Sequence, residues 1–448
     1  MGVFALYFLS IDFGTSAVKL SAVDENGTVK AWAKEPYPYI LLPGEKSEIS
    51  PSELTGALFR AAGKLWQQDS SLSGKIGMIC YDTFSPSPVF MDKDGNLTYP
   101  NIITHMDRRS RAESEDVEKI IGKDAYMNIS GIYPFPGGCS AMTFLWFLKN
   151  QPEVYEKTER VGHLTTYIHY FFTGEWMVDL VNASMMGLYE TTTQGGWSKE
   201  LLSAFGLSPS LFGDIHNPGT VLGSLLPEIA AKLGVKAGIP VTVGTNDVAV
   251  AHMGAGNSRS GEMMDTAGSS EMISILTDTP AVNPHYYLRN AVLPGLWQIY
   301  STTAGGFAVD WFYKEFCREM TEEEFYGRYI LEAVEKNLQN RDISFAPYLT
   351  GDRQSLQKKT ASFEGLTLAS TRDQMLAALL RAMQGVLRTT IEEAKEVIPL
   401  SGDIKISGGM VTAPYLKLKA LEIPGFSFTV VDDCPILGNV ALARRYMG

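Results

Sequence analysis

Apolar residues at the start of the chain come in short runs separated by small and acidic ones. Tyr7-Phe8-Leu9-Ser10-Ile11 is followed by Asp12-Phe13-Gly14-Thr15-Ser16 and then by Val18-Lys19-Leu20-Ser21-Ala22-Val23. Asp24-Glu25-Asn26-Gly27 leads into a third run, Thr28-Val29-Lys30-Ala31-Trp32. β-Branched and aromatic residues bounded by Gly, Asn and Asp predict strands, and Asn26-Gly27 predicts a hairpin. Gly14-Thr15-Ser16 therefore falls at a hairpin tip, just past a strand that ends in a carboxylate. From Ser52 to Gln68 the period changes. Leu54, Leu58, Ala61, Ala62, Leu65 and Trp66 recur at helical spacing. Ile76–Tyr81 predicts a buried strand, Asp82–Pro88 a polar loop behind it, and Val89-Phe90-Met91 a further strand.

Downstream, Ala141–Leu148 and the stretch 161–172 read as helices, and 230–240 as a helix end and linker. Val241-Thr242-Val243-Gly244 begins a fresh strand. Thr371 and Gln374 form a capping-box pair, and Met375, Ala378, Leu379, Ala382, Met383, Val386 and Leu387 give the helix near 371–396 an apolar face. Ile404-Lys405-Ile406-Ser407 runs into Gly408-Gly409-Met410, and 415–421 predicts another helix. The chain has 448 residues, 45% of them hydrophobic, which exceeds one ordinary core. Two domains are expected, 1–240 and 241–448.

The net charge of −12 argues against nucleic acid or an anionic membrane as the main partner. Cys80, Cys139, Cys317 and Cys434 lie far apart with no CxxC pair, which speaks against zinc and for buried thiols in a reducing compartment. The apolar start is short and lacks a basic leader, and no run is long enough to span a bilayer. A cytoplasmic location is expected.

Glycine lets a backbone approach a phosphate, with amide hydrogens and Thr or Ser hydroxyls turned toward the anion. Gly14, Thr15 and Ser16 fit that pattern, and Asp12 fits a carboxylate holding the magnesium that screens the phosphates. A second copy stands at Asp265-Thr266-Ala267-Gly268-Ser269-Ser270, so two like hairpins can clasp one triphosphate between domains. Gly244-Thr245-Asn246-Asp247 ends a strand. Asp247 there either accepts a proton from a substrate hydroxyl or caps the following helix. Gly408-Gly409 is a tight turn or a flat seat for adenosine, and Gly305-Gly306 has the same status. In Thr104–Arg109, Asp107 braced by Arg109 suits sugar hydroxyls, but a helix start with a solvated ion pair reads equally well. The loop opened by Asp82 and Thr83 follows a strand end, where α/β proteins place ligands. No GxxxxGK[ST] loop, dinucleotide fingerprint or metal-spaced histidine set occurs.

Taken in order, these pieces resemble the FGGY carbohydrate kinases. The resemblance rests on Asp12–Ser16, Asp107-Arg108-Arg109, Leu145–Glu153, Phe172–Glu175 with Asp179, Asn182-Ala183-Ser184 and Gly244–Asp247. It continues through Gly268-Ser269-Ser270, Gly305-Gly306 with Trp311, Pro347–Arg353, Phe363–Leu366, Gly408-Gly409 and Leu437–Ala441. It implies an α/β chain of two actin-like, ribonuclease-H-like domains around a cleft. It also implies ATP, magnesium and phosphoryl transfer to a small sugar or polyol. By position, Asp247 matches the base and Asp12 the metal-side carboxylate. Gly14, Thr15, Gly268 and Ser269 match the phosphate loops and Gly408 and Gly409 the adenosine side, and Ser16, Ser270 and Gly305 complete the expected cofactor-binding set. Asp82, Thr83, Asp107, Arg109 and Asn246 are the expected sugar-pocket residues. The chain departs from the family pattern at His105, usually tryptophan, at Thr143, usually lysine, at Met410, and in Tyr81–Ser85, where the sugar loop stands. A ketopentose such as xylulose or ribulose is the expected acceptor. A non-catalytic nucleotide-dependent sugar sensor and an ATPase with chaperone-like motion are the alternatives, and a homodimer is left open.

Overall fold

A computed structural model of the chain describes residues 7–349, 351–352, 355–357 and 359–447. Met1–Leu6 of the leading run, and Thr350 and Arg353 of the Pro347–Arg353 motif, lie outside these residues.

The predicted opening hairpins form. Tyr7–Phe13 pairs antiparallel with Ala17–Val23, which pairs antiparallel with Val29–Pro36. The sheet continues from Tyr7–Phe13 through the parallel strand Ile76–Thr83 to Pro240–Thr242 and Val221–Ser224, with Thr245–Asn246 also on Ile76–Thr83. A second sheet repeats the plan. Trp297–Thr303, Glu271–Thr277 and Met263–Ala267 form the antiparallel meander, and Asp403–Ser407 and Ser427–Val430 add parallel strands to it. Gly14–Ser16 and Gly268–Ser270 thus occupy the same place in each sheet, between the first two strands of the meander.

Helices cover both sheets. Pro51–Gln68 starts on Ser50, whose hydroxyl accepts from Glu53 N–H, with Pro51 preset for the first turn. It buries Leu54, Ala57, Leu58, Ala61, Ala62 and Leu65 against the first meander. Arg372–Lys395 has the predicted capping box and packs on the second meander. Cys434–Arg445, the terminal helix, follows the last strand of the second sheet yet lies against Tyr7–Phe13 and Ile76–Thr83 of the first. Ile436, Val440 and Ala443 cluster there with Phe8, Val23, Met78 and Cys80.

The terminal helix also crosses the helix Asp247–Gly254 at two glycines. A Cβ on Gly438 would lie 2.1 Å from the Val250 carbonyl oxygen, and one on Gly254 2.0 Å from that of Cys434. The backbones therefore touch without side chains between them.

Two expectations shift. Strands Pro240–Thr242 and Thr245–Asn246 belong to the first sheet, so the change of sheet comes after Asn246 and not at 240. Within 161–172 the helix begins only at Leu164. Arg160–His163 is a strand on Pro88–Met91. All four cysteines are buried and free, and among the described residues no helix is long and apolar enough to cross a membrane.

Candidate active site

Both glycine-hydroxyl turns open on one cavity of about 450 Å³ between the sheets. Gly14, Thr15 and Ser16 line it from one side, Gly268, Ser269 and Ser270 from the other, with Asp12, Asn246 and Asp247 between them.

Asp247 is the first residue of its helix, and Asn246 is the cap, its side chain accepting from Ala249 N–H at 3.0 Å. Asp247 is thereby released from the capping role. Its Oδ1 accepts from Val248 N–H and from Asn246 Nδ2, both at 2.8 Å. Burial, with the charge of Asp12 adding to it, pushes the Asp247 carboxyl up to about 7. A base poised there takes a hydroxyl proton near neutral pH and can give it up again.

Asp12 is the last residue but one of the first strand, opposite Lys19 across the hairpin, and Lys19 in turn faces Lys34. Burial raises the Asp12 carboxyl, and the hydrogen bond with Asp82, then Lys19 and Lys34, act against that. The Asp12 carboxyl shares this side-chain hydrogen bond with that of Asp82, and it lines the cavity beside the first turn. A carboxylate that lines the cavity beside an anion-binding turn fits a hydrated divalent cation. Among the described residues no group of three or more metal-ligating side chains gathers, so the fit is to a cation held mainly by water and phosphate.

The second turn is held by its carbonyls. Gly306 N–H donates to Gly268 O at 2.9 Å and Phe307 N–H to Ser269 O at 2.8 Å, both from the start of the helix Gly306–Phe316. Gly305 stands below the turn with φ +52°, where a Cβ would lie 2.4 Å from Glu271 N. It permits a close approach and does not line the cavity. Gly408, at φ +126°, comes equally close to the Ala267 carbonyl, which accepts from Met410 N–H at 3.1 Å. Gly409 borders a separate pocket of about 110 Å³ with Gly306, Val309 and Tyr415.

Four expected sugar-pocket residues lie elsewhere. Asp82 and Thr83 are the end of a strand, not a loop, and both are fully buried. Asp82 sits in register beside Asp12 and accepts from Asn439 of the terminal helix. Burial, then Asp12 and Asp247, push it well above the usual carboxylate range. Thr83 bonds Thr165. Asp107 and Arg109 form an interior ion-pair set with Glu48. Asp107 also accepts from Ser47 N–H at 2.8 Å, and the Arg109 guanidinium lies 5.2 Å from the Trp146 ring centre. Neither faces solvent or the cavity, so both the sugar-binding and the solvated-pair readings give way to a structural one. Arg109→Met leaves two buried carboxylates uncompensated and should cost about 3–5 kcal/mol of stability in urea unfolding, with sugar selectivity unchanged.

The cavity is also lined by Phe84, Ser85, His105, Met272 and Thr302, with Lys19 and Lys34 beside the first turn. His105 lies edge-on to Phe84, with ring centres 6.0 Å apart. The signal for Lys19 was available, since a tip at Gly14–Ser16 sets it across from Asp12.

Two sheets of one plan, each offering a glycine-hydroxyl turn to a shared cleft, define a two-lobed actin-like, ribonuclease-H-like phosphotransferase fold. The description "FGGY family of carbohydrate kinases, N-terminal domain" matches residues 7–254. The chain belongs to that family and is an ATP-dependent carbohydrate kinase. It is 25% identical to a xylulose kinase of Bacillus subtilis over 421 residues, 92% of this chain and 83% of that protein. It is 26% identical to a gluconokinase of Bacillus licheniformis over 396 residues, 85% and 75% of the two chains. The fold superimposes on a ligand-bound xylulose kinase from Lactobacillus acidophilus with a TM-score of 0.87, 21% identity, and 99% and 90% of the chains covered.

Proposed function

We propose that this kinase phosphorylates a ketopentose such as xylulose or ribulose, with Asp247 as the general base. The single observation behind the reading is the shared cavity. Asp247, Asp12 and both turns line the same hollow, which Ser85, His105 and Asn246 also line from the first lobe. A base, an alcohol and a phosphoryl group must align for in-line attack. The likeness to proteins named xylulose kinase supports a ketopentose.

In this reading the first lobe presents the acceptor and the second holds the nucleotide. Asp247 removes the proton from the attacking hydroxyl. Amides and hydroxyls of Gly14–Ser16 and Gly268–Ser270 hold the phosphoryl oxygens, and Lys19 and Lys34 add positive potential. Asp12 would hold magnesium, which when bound screens the phosphate charge. Gly408 and Gly409 give the nucleoside a flat backbone surface. Closure of the lobes excludes water from the hollow.

A coupled ADP-release assay over xylulose, ribulose, fuculose, gluconate and glycerol tests the acceptor. The highest kcat/KM is expected for one of the two ketopentoses. A clear preference for gluconate or glycerol would reject the ketopentose, and ADP release independent of every sugar would reject the alcohol acceptor.

A further inference from the structure

Beneath the second turn lies a set of polar side chains that the chemistry above leaves without a task. The Lys419 ammonium is 2.6 Å from Asp265 Oδ2 and 2.7 Å from Glu271 Oε1. It also donates to Gln384 Oε1 at 2.5 Å. The Tyr415 hydroxyl donates to Glu271 at 2.7 Å and accepts from Gln384 Nε2 at 2.8 Å. Lys419, Asp265, Glu271 and Gln384 are all 0% exposed. Apolar side chains of similar volume would fill such a space at no loss of stability, and often with a gain. Stability alone therefore does not account for the cluster.

Its placement does. Asp265 lies in the strand that enters the second turn, and Glu271 opens the strand that leaves it. Lys419 and Tyr415 stand on the helix Ala413–Glu422, which follows the Gly408–Met410 turn. Tyr415 also walls the pocket that Gly409 borders, and Met410 N–H bonds Ala267, the residue before the turn. One ammonium thus ties both stems of the turn to the helix behind the nucleoside side. Charge-assisted bonds hold such distances more tightly than apolar contact does.

We propose that Lys419, acting through Glu271, Asp265 and Tyr415, is a positioning residue that locks the second phosphate turn to the nucleoside side of the cleft. The proposal rests on the reading of Gly268–Ser270 as a phosphate site. Donors preset toward the transferring group are worth more than donors that must be ordered on arrival. The cluster sets the turn before the nucleotide enters.

The test uses the full chain and magnesium-ADP as the calorimetric probe. The triple variant Lys419→Met, Glu271→Gln, Asp265→Asn removes all three charges while keeping approximate shape. Tyr415→Phe removes one hydroxyl and leaves the ammonium in place. The triple variant should melt cooperatively, with its ADP dissociation constant and ATP KM raised about tenfold or more and the acceptor KM within about twofold. Tyr415→Phe should move the same two constants by about threefold. A triple variant that folds and binds ADP as the unaltered protein does overturns the proposal. If the triple variant does not fold, Tyr415→Phe with unchanged ADP affinity overturns it. Gly268→Val separates the two readings, since a Cβ there meets nothing nearer than 3.6 Å. If Gly268→Val spares ADP binding, the phosphate assignment falls and the positioning role with it. If Gly268→Val weakens ADP while the cluster variants do not, only the positioning role falls.

Discussion

Asp247→Asn lowers turnover by about 10²–10⁴-fold while ADP binding persists, the loss expected when a positioned base is removed. The same change alters two pH dependences. Burial pushes the Asp247 carboxyl to about 7, so below that pH it is protonated and accepts no proton. In the unaltered enzyme kcat/KM should fall about tenfold per pH unit below 7. That limb should vanish from the residual rate of the Asn variant. Stability moves in the opposite sense. The folded protein keeps this proton up to about pH 7, while an unfolded carboxyl releases it near 3.8. Ionisation between those values favours the unfolded chain, so the contribution to stability declines as pH rises through the window. Asp247→Asn removes the decline. Its melting temperature should exceed that of the unaltered protein at pH 8, and the gap should close toward pH 4. An Asn variant with near-normal turnover at pH 7.5 rejects the base assignment.

Gly438→Val strikes the crossing of the terminal helix with Asp247–Gly254. Its Cβ would lie 2.1 Å from Val250 O and 3.1 Å from Gly254 N. Overpacking against side chains costs about 1–3 kcal/mol, but here the obstacle is backbone, and about 3 kcal/mol or more is expected. Separating the helices also displaces Asp247 at the head of one and Asn439, the partner of Asp82, on the other. A fall in melting temperature and a loss of turnover in the folded fraction are both expected. Gly385→Ala is the control. It lies inside the helix Arg372–Lys395 with nothing within 4 Å of a Cβ, and should stabilise by about 0.5–1 kcal/mol. Equal behaviour of the two variants would reject the crossing as a determinant.

Local signals carried a large part of the fold. The first hairpin was legible because its apolar runs end in Asp12 and resume at Val18, with only small residues between. The helix Arg372–Lys395 was legible because cap and periodicity agree. What a short window lacks is long-range pairing. Pro240–Thr242 and Thr245–Asn246 are brief strands whose membership depends on Ile76–Thr83, far earlier in the chain. Arg160–His163 owes its extension to Pro88–Met91.

The candidate site divides along the same line. Asp12, both turns, Asn246 and Asp247, which line one cavity, stood out in the sequence because glycine, hydroxyl and carboxylate residues stand next to one another where the chain turns. Asp107 and Arg109 were misplaced because charge in a polar stretch suggests access. Nothing nearby announces that Glu48, 61 positions before Arg109, meets it in the interior. Asp82 was misplaced for a like reason, since its partner Asn439 is 357 positions away. His105 and Ser85 stood in the departures from the family pattern, and both line the cavity.

The return of the terminal helix to the first sheet has a consequence for how the molecule is made. Phe8, Met78 and Cys80 precede their cover, Ile436, Val440 and Ala443, by most of this chain and so leave the ribosome well before it. The first sheet must wait with an oily seam uncovered until Cys434–Arg445 has been made. A fragment ending at 254 would keep that seam open, prone to self-association unless the missing tail is supplied as a separate peptide.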